Sequence, residues 1–374
     1  MEHAFAPSAH GPFSLGIEEE LMIVDAEGHG LANAIEQLLE GDACAPGEDG
    51  TVARELMESV LEIATPPTAN TAEAGRALRS LRSRVIRAAA EHGLLIGSAG
   101  THPFARWEDQ RIVARSRYRD LVSALRFVAR QELIFGLHVH VGVDDPDKAI
   151  HVANGMRVHA PILQALSANS PYWRGDRTGL ESTRTPIFRQ FPRVGIPPAY
   201  RDWADYERQI DFMVRSGVME DYTFLWYDVR PHARFGTVEV RACDAQTRVE
   251  HTLGLAALIQ AMVKELSEHF DRGERLTEYP FQMLDENKWL AARHGLDGQL
   301  VDLPSSERVT ARDLARRLLE RLRPHAEELG SAAELEGIQD LIDRGTGAHR
   351  QVVVFDANND MRELMGDIVE ATAP

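Results

Sequence analysis

Three well-separated runs of this chain alternate apolar residues with acids, imidazoles or a guanidinium group at a period of two. In FSLGIEEELMIVD, Leu15, Ile17, Leu21 and Ile23 face one way while Glu18 and Glu20 face the other. In LHVHVGV, Leu137, Val139, Val141 and Val143 oppose His138 and His140, and in TVEVRAC, Val238 and Val240 oppose Glu239 and Arg241. Side chains at i and i+2 share a strand face, so each run calls for a sheet with one face in a core and the other left for polar groups. Such alternation is ordinary in half-exposed antiparallel sheets, but those faces usually carry Thr, Ser and Lys. Acid, imidazole and guanidinium together suit metal ions and phosphates. Two glutamates on one face repel unless a cation or an arginine intervenes, which makes Glu18 and Glu20 candidate metal ligands. Glu19 has the opposite parity and is expected to be structural, paired to an arginine.

A fourth segment, RELMESVLEIATP, adds Glu55, Glu58 and Glu62 at i, i+3 and i+7. On a helix all three would share a face. If VLEIAT is a strand, Glu58 and Glu62 share a face and Glu55 comes from the preceding turn. The spacing leaves both geometries open. His138 is a candidate ligand, while His140 fits a second ligand, a phosphate contact or a core histidine. Imidazole with several carboxylates and no thiolate favours Mg²⁺ or Mn²⁺ over structural zinc. Arg230, Arg234 and Arg241 cluster beside Glu239 and could make bidentate contacts to carboxylate or phosphate, or pair with Asp228 and Asp244. Arg174, Arg177, Arg184, Arg189 and Arg193 lie in one Gly- and Pro-rich stretch, and each could grip an anion or be solvated. Cys243 has the parity of Glu239 and Arg241, yet reads best as a buried structural thiol.

The net charge of −17 argues against nucleic acid or an anionic membrane as the main partner. Two cysteines allow no disulfide framework and no thiolate metal site. No apolar run is long enough to span a bilayer and the N-terminus lacks a signal-peptide pattern, so a reducing cytoplasm is the default expectation. No P-loop, dinucleotide-binding or nucleophile-elbow motif occurs; any ATP use must do without a P-loop.

Residues 1–12 read as a short flexible leader and 13–374 as one α+β domain. Helices are expected near 70–92, 109–133, 144–168, 203–216, 246–271 and 309–343. A Gly-, Asp- and Pro-dense loop falls at 41–50, and a functional loop at 169–200.

The order E-x-E, E-x6-E, H-x-H and E-x-R resembles the glutamate–cysteine ligase type 2 (YbdK-like) carboxylate–amine ligase family, which is similar in fold to glutamine synthetase. GTHPF at 100–104, RQELIFGLHVHVGV at 130–143, NSPYW at 169–173, WYDVRPH and GTVEVRACD at 226–244, ENKWLAARHGLDG at 286–298 and GTGAHRQ at 345–351 extend the resemblance over nearly the whole chain. It implies an open antiparallel sheet with a concave active-site face, helices on the outer face, Mg²⁺ ions and ATP. By the same resemblance, Glu20, Glu55 and Glu62 would hold one metal, and Glu18, His138 and Glu239 the other. Arg241 would meet the transferred phosphoryl group, with His140 and Arg234 also beside the nucleotide. Arg230, Arg184 and Trp226 would serve the substrate. The activity implied is ATP-dependent amide formation between small-molecule carboxylate and amine substrates through an acyl phosphate, with glutamate and cysteine suggested; a homo-oligomer is left open. A guanidino-type phosphotransferase on the same fold, a non-catalytic ATP-binding regulatory protein and a metal-dependent hydrolase are the alternatives.

Overall fold

The acid-bearing run becomes the central strand of a seven-stranded sheet in the computed structural model, which describes residues 5–41 and 44–374. The strands are β1 (Leu15–Asp25), β2 (Thr51–Arg54), β3 (Val60–Ala64) and β4 (Leu94–Gly97), followed by β5 (Gly136–Gly142), β6 (Val229–His232) and β7 (Thr237–Asp244). Their order is β6-β7-β5-β1-β3-β2, with β4 pairing β1 beyond the end of β5. Every pairing is antiparallel and the sheet stays open.

The expected alternation holds along the first half of β1, buried and half-buried residues taking turns from Leu15 to Glu20. One face supplies Ile17, Leu137, Val139, Val238 and Val240 to the main core. Three helices pack there: α1 (Thr71–Glu91) against β1 and β4, α2 (Pro146–Ser167) against β7, and α3 (Val249–Asp271) against β5. Asn70 caps α1 by accepting from the Glu73 N–H, and Ala74, Leu78, Leu81 and Val85 form its buried stripe. From Leu21 to Val24 both faces of β1 are buried. There Met22 and Val24 share the parity of Glu18 and Glu20 but pack under Leu364, Met365 and Ile368 of the C-terminal helix α4 (Met361–Thr372). The polar face is therefore open only at the Glu18–Glu20 end.

Glu19 meets the arginine its parity called for. Arg82 of α1 donates to both its carboxylate oxygens at 2.8 and 2.7 Å, and Thr252 Oγ1 donates at 2.6 Å; Glu19 and Arg82 are each 0% exposed. The remaining Arg82 donors reach the carbonyls of Gln246, Thr247 and Thr372, which ties α1, the start of α3 and the end of α4 to the sheet.

Several expectations shift. The helix expected over 109–133 is broken into Ser116–Leu125 and Phe127–Arg130, because Arg126 takes a positive φ. The one expected over 309–343 is split into Ala311–Glu328 and Glu336–Arg344, with Gly330 left-handed just past the first. Of the leader, residues 5–12 lie against the sheet rather than free. Ala6 donates to Ala233 O, Ser8 to Val143 O, and Phe5 sits edge-on to Trp203. In the loop at 41–50, Gly47 and Gly50 close a turn, while positions 42 and 43 lie outside the described residues. Among the described residues no helix is long and apolar enough to cross a membrane.

Candidate active site

Strand pairing sets the polar groups side by side. Glu18 lies opposite His138, Glu20 opposite Glu62, and Glu239 opposite both His140 on one side and Arg230 on the other. Glu62 is on β3, whereas Glu55 comes from the turn that precedes it, which decides the open question of the fourth segment in favour of the strand. Glu58 lies in that turn too, but pairs with Arg111 at 2.8 Å and stays out of the cluster.

Among the described residues, three overlapping groups offer ligand atoms within 4.8 Å of one another: Glu20, Glu55 and Glu62; Glu18, Glu62 and His138; and Glu18, His140 and Glu239. The first is the trio expected. The members of the second expected trio fall into two groups, Glu18 and His138 with Glu62, and Glu18 and Glu239 with His140, the cross-strand neighbour of Glu239. His138 Nδ1 lies 3.3 Å from Glu18 Oε2, and His140 Nε2 lies 3.4 Å from Glu18 Oε1 and 3.8 Å from Glu239 Oε1. His140 is oriented by a 3.0 Å hydrogen bond between Nδ1 and Thr237 Oγ1.

Protonation divides the cluster. Burial, then Glu20, pushes the Glu55 carboxyl up to about 7. Burial, then Glu18, Glu55 and Glu20, holds Glu62 well above the ordinary range. Glu18 and Glu239 go the other way. Burial opposes their charge, but is outweighed at Glu18 by His140 and His138, and at Glu239 by Arg230 and Arg241. Burial and the Arg241 charge keep His138 below its usual value; its Nε2 is buried with no hydrogen-bond partner. Crowded acids holding excess protons beside an orphaned imidazole nitrogen fit a site built for cations. The oxygen-rich, thiolate-free donor set fits Mg²⁺ or Mn²⁺.

The arginines separate by what already engages them. Arg230 is mostly engaged: Nε and Nη2 donate to Glu239 Oε2 at 2.8 and 2.6 Å, and Nη1 to the carbonyls of Thr223 and Leu225 at 2.9 Å each. It positions Glu239 and keeps one Nη2 N–H without a partner among these contacts. Arg241 donates to Glu239 Oε1 through Nη1, but its Nε has no partner. Arg234 is exposed on the hairpin between β6 and β7, next to His232, whose ring lies 5.6 Å from that of His140. Trp226 stands apart, packed among Phe191, Phe224 and Arg193.

Of the five loop arginines, Arg174, Arg177 and Arg189 pair with surface carboxylates, and Arg193 donates to the Phe224 carbonyl. Arg184 alone is buried and makes no direct ion pair with a carboxylate among the described residues, though Asp244 and Glu132 lie near enough to feel its charge. It lines a pocket with Glu20, Glu55, His138, Arg241 and Glu132. Gly136 makes room for it: a Cβ there would come within 2.5 Å of Arg184 Nη2 and 3.0 Å of His138 Nε2. The motifs without chemistry of their own converge behind this arginine. Asp244 accepts from Ser170 at 2.6 Å, Ser182 at 2.9 Å and the Asn169 N–H at 3.0 Å, and Ser170 Oγ in turn accepts from the Arg184 N–H. Gly100 and Gly347 are pressed so close to Asp244 and Asn169 that a Cβ would clash, and Gln351 donates to Asn169.

Cys243 is the buried thiol expected of it, although its strand parity pointed to the polar face. Cys243 leaves the polar face because a bulge inserts a residue between Val240, opposite Val139, and Cys243, opposite Leu137. The thiol ends in the core, where burial pushes it up to about 12. Glu132 was missed. It precedes the H-x-H strand in an irregular stretch, so no periodicity marks it, and only its place in the fold brings it to the pocket. Burial, then Glu55 and Glu20, raise its carboxyl well above the ordinary range.

The glutamate-cysteine ligase family 2 model matches residues 14–371. A Rubrobacter xylanophilus protein provisionally named glutamate–cysteine ligase 2-1 is 45% identical over 362 residues, 97% of this chain and 95% of its own. A Sorangium cellulosum protein, provisionally named glutamate–cysteine ligase 2, is 42% identical over 366 residues, 97% of each chain. Among solved structures, a Francisella tularensis glutamate–cysteine ligase in complex with AMP superposes with a TM-score of 0.70 at 15% identity, covering 98% of this chain and 89% of that one. A bifunctional glutathione synthetase from Pasteurella multocida gives 0.67 at 17% identity, covering 97% and 52%. These two likenesses are of fold.

Proposed function

Since the chain belongs to glutamate–cysteine ligase family 2, we propose that the open face of its sheet joins glutamate to the amine of cysteine, or of a similar amino acid, with Mg²⁺ and ATP. The protein is an ATP-dependent ligase that forms a carbon–nitrogen bond. The observation that carries the site assignment is the set of three overlapping carboxylate and imidazole groups, flanked by one arginine engaged with Glu239 and another that makes no direct ion pair among the described residues.

Glu20, Glu55 and Glu62 would hold one Mg²⁺, and Glu18 with His138, His140, Glu62 and Glu239 would hold the others. Bound there, the metal would neutralise phosphate charge and orient the nucleotide. Arg230 fixes Glu239 and thereby the start of β7. Arg241 presents its guanidinium beside Glu239, where the γ-phosphoryl group of ATP would be transferred. The substrate carboxylate attacks the γ-phosphorus, the bond to the β-phosphate oxygen breaks, and ADP leaves an acyl phosphate. The amine then attacks the acyl carbon, phosphate departs and the amide forms. Arg184 takes a substrate carboxylate. The protein's share of catalysis is positioning and fixed charge. Both cysteines are free and buried, in keeping with the reducing cytoplasm we assign to it.

The test is incubation with ATP, Mg²⁺, glutamate and cysteine, following ADP, phosphate and the ligated product by mass spectrometry. The expected result is equal amounts of all three, abolished by EDTA. A stable N-phosphoryl product would favour the guanidino phosphotransferase, and substrate turnover without ATP a hydrolase. ATP binding with no turnover across amino-acid pairs would favour a regulatory protein.

A further inference from the structure

Two side chains of opposite type, Arg184 and Glu132, line the pocket beside Glu20 and Glu55 without forming a direct ion pair with each other or with any other described residue. Arg184 is 4% exposed; its Nε is orphaned and its Nη2 reaches only the Arg241 carbonyl, at 3.4 Å. The Glu132 carboxylate makes no hydrogen bond or ion pair, and it belongs to none of the three ligand groups. Both line the same cavity, with Ile134 and Phe188 as apolar wall.

Arg184 is a buried charge with no carboxylate at ion-pairing distance, and a ligand that supplies one removes that cost. Here the cavity offers one opening for an anion and one for a cation. The metals do not answer the second, because Glu132 stands outside the ligand groups. A zwitterion answers both: its carboxylate matches the planar fork of Arg184, and its ammonium group favours the ionised form of the Glu132 carboxyl, which the pocket otherwise keeps protonated.

Resting on the ligase reading above, we propose that Glu132 is a substrate-binding residue that receives the ammonium group of an amino-acid substrate, so that the pocket selects amino acids over their deaminated analogues. Glu132→Gln keeps the shape and removes the charge. Losing one hydrogen bond between charged partners weakens binding by about 10- to 100-fold.

Steady-state kinetics with Mg²⁺-ATP, glutamate and cysteine should therefore show the KM of one amino acid rising by about that factor in Glu132→Gln, with the KM of ATP and the melting temperature unchanged. If the ammonium group is that of glutamate, the wild-type preference for glutamate over glutarate should vanish in the variant. If it is that of the incoming amine, the KM of cysteine moves instead. Glu132→Asp, with the charge retained on a shorter arm, should recover part of the affinity. An active Glu132→Gln enzyme with both amino-acid KM values unchanged overturns the proposal. So does a variant in which ATP affinity and melting temperature fall together with activity while Glu132→Asp rescues nothing, since that marks a structural acid. Should the wild type form no product with any amino-acid pair, the ligase reading fails by itself. Calorimetric titration of wild type and Glu132→Gln with glutamate and cysteine then still decides the Glu132 assignment, binding equal in the two counting against it.

Discussion

Arg241 and Glu55 show how much a single side chain decides here. Arg241 has a guanidinium partly engaged by Glu239 and an Nε with no partner, which leaves it donors for charge that builds up during phosphoryl transfer. Arg241→Lys retains the charge but loses the planar fork. We expect kcat to fall by roughly 10²-fold or more, on the scale of one preorganised donor, with ATP affinity only modestly weaker. Normal kcat at saturation with much weaker ATP binding would make Arg241 a ground-state nucleotide contact instead. Gly136→Ala should act at a distance. The added methyl displaces Arg184 from beside His138, so amino-acid KM should rise while the melting temperature holds; unchanged kinetics would mean that Arg184 does not serve the substrate. Glu55 adds a pH dependence. Its folded value of about 7 exceeds the 4.5 of the free side chain, so the metal-free fold holds a proton there that the unfolded chain has released. Stability from this source is complete below pH about 4.5 and is lost as pH rises through about 7. A cation binds the ionised form, so Mg²⁺ uptake should release protons, and its affinity should climb across that window and then level. Calorimetry in two buffers of different ionisation enthalpy checks this; uptake with no proton release at pH about 6 counts against it.

Strand β1 illustrates what an element can and cannot declare. Its period of two placed Glu18 and Glu20 on one face and Glu19 on the other, and the observed burial follows that parity as far as Glu20. Nothing in the pattern shows that Met22 and Val24, with the same parity, are roofed by α4, because that contact joins residues more than 300 positions apart. The bulge in β7 is silent for the same reason. Alternation predicts Cys243 on the polar face, and only the pairing with β5 reveals the extra residue. The Glu19–Arg82 pair lends itself to a test of strand-to-helix coupling. Removing one partner of a fully buried pair leaves an uncompensated charge, so Arg82→Met should cost about 3–5 kcal/mol. Adding Glu19→Gln should recover much of that loss. Chemical denaturation measures both, and additive losses in the double variant would show that the pair is not coupled.

Across the whole molecule, the same sheet face that binds must also tolerate its own charge. With a net charge of −17 and several carboxylates crowded at one end of the sheet, the metal-free protein should be the less stable form. Mg²⁺ that binds only the folded state stabilises by mass action, by about 2.7 kcal/mol at a hundredfold excess over its dissociation constant. A rise in melting temperature with millimolar Mg²⁺ is expected, larger when ATP is present. A melting temperature indifferent to both would mean that the acids are neutralised by arginines and do not hold cations.

Residue types and short spacings sufficed to place Glu18, Glu20, His138, His140, Glu239 and Arg241 on one face, since strand parity is a local property of the backbone. They also sufficed to send Glu19 toward an arginine. Which strands lie side by side was beyond them. Pairing across long stretches of chain brought His140 to Glu239 and His138 into a group with Glu62, engaged all three nitrogens of Arg230, and left Arg184 buried without a direct ion pair among the described residues. Glu132 belongs wholly to that second kind of information: it lies in no periodic run, and only packing beside Glu20 and Glu55 turns an unremarked acid into part of the pocket.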